Sequence, residues 1–138
     1  GFMSGFEKEF LDCIQPIKVV TALNTVSDKA DGDTEITYDT FFLPSLEQMY
    51  INPQLAGEGD VWEYWKRASG MSTKMHQWQT YPQIRTYAIE SHTSAQNVRL
   101  RSANRDNACH TWHVNSSGYV NYGGAVYALR CSPVCVIC

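Results

Sequence analysis

The sequence predicts a single α+β domain, and three observations carry that expectation. Short helical patterns with capping residues come early, and β-branched and alternating runs fill the later part. No internal repeat or Pro/Gly-rich linker divides residues 1–138. At 138 residues with 43% hydrophobic content, the chain is large enough to close one core without obligatory staples.

Taken in order, Ser4 and Glu7 make a capping-box pattern ahead of Phe6, Phe10, Leu11 and Ile14 at helical spacing, and Pro16 stops that helix. "IKVVTAL" (17–23) and "EITYDTFFL" (35–43) read as strands joined by the polar tip "SDKADGDT". Ser45 with Gln48 predicts a short second helix that buries Leu46 and Met49. Asp60 with Glu63 predicts a third, closed by Gly70, in which Trp62 and Trp65 share a core face. Residues 71–83 read as a polar surface loop, and 84–91 and 97–103 as short strands. "TWHVNSSGYVNY" is a hairpin around Ser117-Gly118, and "AVYALRCSPVCVI" is a last strand interrupted by Pro133.

Composition narrows the function classes. Net charge is −3, and residues 101–138 hold three arginines, one aspartate and no lysine, a poor surface for tracking phosphates, so no nucleic-acid partner is expected. No apolar run reaches membrane-spanning length, so no membrane insertion is expected. "GFMSGFEKEF" lacks the basic-then-apolar pattern of a signal peptide, and Gly1-Phe2 ahead of Met3 fit either an appended dipeptide or a cut inside a longer protein. The five cysteines, an odd number, argue against a disulfide framework. On a strand, Cys131 and Cys135 would lie about 13 Å apart, too far to pair or to share a zinc. Buried free thiols are therefore expected.

Catalytic patterns are sparse. His110 and His113 would point to opposite faces of a strand, and His76 and His92 stand alone in polar surroundings. No nucleophile elbow, phosphate loop or dinucleotide fingerprint occurs, so neither an enzyme nor a cofactor or metal is expected. Asn115-Ser116-Ser117 fits a glycosylation acceptor, which matters only in a eukaryotic secretory setting.

The C-terminal third is written in a different alphabet. Lys, Glu, Gln and Met occupy 23 of the first 100 positions and none of the last 38, where about nine would be expected. In their place stand Asn, Ser, Gly, Tyr and His, which supply adaptable hydrogen bonds and rigid aromatic area, as in antibody recognition loops. Strand spacing sets Trp112, Val114 and Val120 on a packed face and His113, Asn115 and Asn121 on an exposed one.

In this order, "FFLPSLEQMY", "VWEYWKRASG", "VRLRSA", "TWHVNSSGYVNY" and "ALRCSPVCVI" resemble the variable proteins of diversity-generating retroelements, found in bacteria, especially gut Firmicutes, and their phages. The resemblance runs from about Ser4 to Ile137 and implies a C-type lectin fold of the subtype shared with formylglycine-generating enzymes, used for ligand display rather than catalysis. It implies a variable region at 97–138, rewritten by error-prone copying at template adenines. Altering the two adenines of an AAC codon cannot reach Lys, Glu, Gln, Met or Trp, so Trp112 would be scaffold, as would Arg99, Arg101, Arg130, Cys131 and Cys135. The implied contacts are Asn104, Asp106, Asn107, Ala108, Cys109, His110, His113, Asn115, Asn121, Tyr122, Gly123, Gly124 and Val126. Their partner would be a protein or glycan on a cell surface, met from a phage tail or a bacterial surface, with avidity from several copies raising weak binding. Calcium signatures of classical lectins are absent. Two rival readings are a fixed-specificity carbohydrate-binding module that uses Trp62, Trp65 or Trp78, and a formylglycine-generating-type enzyme that uses exposed, reactive Cys131 and Cys135.

Overall fold

The computed structural model describes residues 2–24, 26, 33–84 and 94–137. Its content is mixed α/β, mostly sheet with few helices, as an α+β class requires. A five-residue helix α1 (Lys8–Asp12) precedes an antiparallel pair, β1 (Ile17–Ala22) and β2 (Thr34–Asp39), with Ile17 opposite Asp39 and Ala22 opposite Thr34. Helix α2 is Glu63–Ser69. The strands β3 (Val98–Ala103), β4 (His110–Val114), β5 (Val120–Gly124) and β6 (Arg130–Cys131) form a second sheet in the order β5-β4-β3-β6, antiparallel except for β3 with β6.

One face of that sheet makes the core. Alternation brings Val98, Leu100, Trp112, Val114 and Val120 to it, and Leu46, Met49, Ile51, Met75 and Ile84 pack against them. Trp112, Val114 and Val120 are fully buried, as the strand spacing predicts.

Several local expectations are corrected. The Ser45–Gln48 box forms, with Ser45 N–H donating to Gln48 Oε1 and Gln48 N–H to Ser45 Oγ, both at 3.1 Å. No helix follows. Leu46 N–H is taken by Ser102 Oγ, Ile51 N–H turns back to Leu46 O, and Tyr50 adopts a φ of 63°. With Tyr50 left-handed, Tyr50 N–H bonds Glu47 O at 3.0 Å and Ile51 N–H bonds Leu46 O at 2.9 Å, a Schellman closure that stops helix growth after one turn. Helix α1 starts from Glu7 rather than Ser4, and α2 from Trp62 rather than Asp60, neither with a side-chain cap. Gly70 does close α2, with φ 65°. The 71–83 segment is irregular but not superficial, since Met75 and Tyr81 are buried. Of the strand expected at 84–91, Ile84 ends a 3-10 turn and the rest lies outside the described residues. The last strand shrinks to Arg130–Cys131. Beyond Pro133, among the described residues, single bridges join Val134 to Phe42 and Ile137 to Ile14. Among the described residues the thiols are not buried: Cys13, Cys109 and Cys131 are exposed and Cys135 is partly so.

The two sheets are joined through Arg101. From β3 its guanidinium donates to the carbonyls of Val20 (3.1 Å) and Leu43 (2.8 Å), to Gln48 Oε1 (2.7 Å) and to the Glu58 carbonyl. Glu58, 1% exposed, accepts from Ala22 N–H and Ser102 Oγ. Burial raises the pKa of its carboxyl above the ordinary range. The two hydrogen bonds and the charge of Arg101 offset part of that rise.

Candidate ligand-binding surface

The polar C-terminal residues do not form one flat exposed face. They divide between a loop pair at one end of the β4–β5 hairpin, the outer face of the sheet, and the opposite hairpin end.

At the first end, residues 104–109 connect β3 to β4. Asp106, Asn107, Ala108 and Cys109 are exposed. Asn104 is not: it is 3% exposed, its Oδ1 accepts from Asp106 N–H at 3.1 Å, and its N–H donates to His110 O at 3.0 Å. The expectation that Asn104 is a contact is therefore corrected, because it folds the turn that presents its neighbours. Beside this turn runs the segment 125–129, joined to it by Ala125 N–H donating to Cys109 O at 2.7 Å. Val126 is 90% exposed. Val126 and the 106–109 residues thus share one solvent-facing end.

Topology explains where 125–129 runs. Strands β5 and β6 are the two edges of the sheet, so the chain between them must cross β4 and β3 on one side. It crosses over the outer face, held by Arg99. That guanidinium donates to Thr111 Oγ1, to Gly124 O at 3.2 Å and to Tyr127 O at 2.8 Å. Gly123 and Gly124 lie beneath Tyr127: a Cβ at Gly124 would come within 3.3 Å of its ring, and one at Gly123 within 3.4 Å of His113. These glycines are therefore the seat of an aromatic side chain rather than blank contact positions. His113 and Asn121 face each other on the outer side, each partly buried. Burial, and then the charge of Arg99, lower the His113 pKa, which favours a neutral ring.

Asn115 is placed elsewhere. It sits about 16 Å along the hairpin from His110, at ~3.3 Å per residue. Its Oδ1 accepts from Ser117 N–H (2.9 Å), Ser117 Oγ (2.7 Å) and Tyr119 N–H (2.9 Å), so it builds the β4–β5 turn. It is partly buried and lies apart from the loop-pair surface, so the structure does not bring it together with the other expected contacts.

An aromatic group adjoins the loop pair. The His110 ring stacks on Tyr122 at 5.1 Å, and Tyr122 meets Trp78 edge-on at 4.9 Å and Trp112 at 5.4 Å. Trp112 is fully buried beneath, and its Nε1 has no partner among the described residues. Trp78 is 49% exposed at a φ of 62°, a rare conformation for a bulky residue. Trp62 and Trp65 are partly buried: Trp62 meets the edge of Phe42 at 6.0 Å, and Trp65 packs on the core. Sequence spacing gave no sign of Tyr127 or of the Arg99 clamp, because the crossover that unites them depends on strand order.

Among the described residues no group of three His, Cys, Asp or Glu side chains is placed to hold a metal ion, and no helix is long and apolar enough to cross a membrane. Cys131 is exposed and Cys135 partly exposed, so thiol labelling at these positions cannot distinguish a display protein from an enzyme. No curated protein and no solved structure matches the chain. One family model does, over residues 1–137, and the chain belongs to that family, described as a domain of unknown function, DUF6273.

Proposed function

We propose that this domain is a ligand-display protein with a C-type lectin-like fold, whose C-terminal loop pair is diversified by a retroelement. The observation that supports the reading best is the coincidence of two independent patterns. Residues 106–109 and Val126, taken from the stretch without Lys, Glu, Gln or Met, are exposed together at one end of the sheet. The side chains that hold this end in place, Trp112 and Arg99, are buried or clamped. Changes at the exposed positions therefore leave the core untouched, as a diversified surface requires. Binding is by hydrogen bonding and stacking to a macromolecule on a cell surface, without catalysis.

Sequencing copies of the gene from separate isolates tests this. Amino-acid changes concentrated at 106–110, 113 and 121–126, with Arg99, Asn104, Trp112 and Asn115 invariant, are the expected result. Changes spread evenly over the chain would contradict it.

A further inference from the structure

We infer that Trp78 is a fixed anchor of this surface and that the ligand it meets is a neutral glycan. The inference rests on the display reading above, and adds a residue outside the C-terminal region together with a ligand class.

Three observations meet at Trp78. It is half exposed while every other tryptophan of the domain is buried or partly buried. Its backbone is held in the left-handed region by Trp78 N–H donating to Val120 O at 2.9 Å and Val120 N–H to Gln79 O at 3.1 Å, next to the Thr80–Tyr119 bridge. A bulky residue fixed in a costly conformation with its ring in water suggests a functional position. Finally, its ring continues a row: Trp78, Tyr122 and His110 follow at 4.9 and 5.1 Å, and His110 N–H bonds Asn107 O at 3.2 Å, which leads directly into the exposed 106–109 turn.

The chemistry of that row fits a sugar. A pyranose has an apolar C–H face that stacks on aromatic rings and a rim of hydroxyls that both donate and accept. Here the half-exposed Trp78 ring offers the stacking face, with Tyr122 edge-on to it and His110 covering Tyr122. The short polar side chains Asn107 and Asp106, exposed in the turn before His110, can meet such a rim. Charge is scarce: from Ala103 to Leu129 the charged residues are Arg105 and Asp106, of opposite sign, which suits a neutral ligand better than an anionic one. Because Trp78 lies outside the region 97–138, it would supply constant stacking while Tyr122, His110, Asn107 and Asp106 vary and select among sugars.

The test is titration of the intact chain with neutral oligosaccharides of glucose, galactose, mannose and N-acetylglucosamine, up to about 10 mM so as to reach weak millimolar contacts. The indole N–H resonances are followed, with W78F assigning the Trp78 signal. The inference expects at least one sugar to move that signal, W78A to weaken its binding about tenfold or more, and W78F to retain most of it. If no sugar moves the signal, or if binding is equal in W78A, the inference is overturned. If instead a peptide from a randomised library binds in a manner sensitive to Asn107 and Asp106 but not to W78A, the glycan anchor fails and the display reading stands. Trp78-dependent sugar binding in a gene invariant among isolates would support the anchor while removing the display reading.

Discussion

The amide of Ala125 donates to the carbonyl of Cys109 at 2.7 Å, tying the segment that leaves β5 to the turn that enters β4. Through this one bond, stretches 16 residues apart in sequence become a single surface. Arg99 then fixes the second stretch over the sheet.

Removing the clamp should free the loop without unfolding the core. Arg99→Ala gives up bonds to Thr111, Gly124 and Tyr127, with an expected stability loss of about 1–3 kcal/mol. Amide exchange at Ala125 and Tyr127 should accelerate while that of Trp112 changes only with the global stability. Arg99→Lys should recover little, since a single ammonium lacks the planar fork that reaches all three acceptors.

Three asparagines that look alike in the sequence should behave differently. Asn104→Ala and Asn115→Ala each remove turn-forming acceptors and should cost about 1–2 kcal/mol in chemical denaturation. Asn107→Ala, with its single exposed bond to Cys109 N–H, should cost about 0.5 kcal/mol or less.

Glycines separate in the same way. A Cβ on Gly118, at φ 88°, would lie 2.2 Å from the Tyr81 carbonyl, so Gly118→Ala should cost about 3 kcal/mol or more and disturb the 78–81 segment. Gly124→Ala meets the exposed side chains of Tyr127 at 3.3 Å and Val126 at 3.6 Å, which can swing aside, and should cost under about 1 kcal/mol.

Glu58 gives the fold a pH dependence. Its folded pKa is raised, chiefly by burial, so the native state keeps a proton that the unfolded chain has released. The associated stability is fully present below the ordinary glutamate pKa and is lost as pH rises through the raised one, with no further change above it. Urea midpoints should therefore fall over that window. Glu58→Gln, which keeps one acceptor oxygen for Ala22 N–H and presents a donor to Ser102 Oγ in place of the second oxygen, carries no charge and should remove this slope. A slope that persists in E58Q would assign it to other groups.

What could be read in the sequence was what depends on local pattern. The alternation of Trp112, Val114 and Val120, the hairpin around Gly118, the β1–β2 pairing and the Gly70 cap all follow from residues close in sequence. The parts that could not be read depend on distant partners. Ser102 and Arg101 hold the Leu46 amide and the Gln48 side chain of the 45–51 turn, and left-handed Tyr50 closes it after one turn, so a sound capping box yields no helix. The candidate surface divides along the same line. Asp106, Asn107, Ala108, Cys109 and Val126 are exposed together, whereas Asn104 and Asn115 carry the same side chain but serve their own backbones. Residue type reports what a side chain can bond, not which bond the fold has already used.

The most direct test of the central claim is the nucleotide sequence flanking the gene. The account predicts a near-copy of codons 97–138 beside a reverse-transcriptase gene, with AAC or AAT at 106–110, 113, 121–124 and 126 and no adenine-driven change at Trp112. A locus with neither the copy nor the reverse transcriptase would contradict it and leave a surface of fixed specificity.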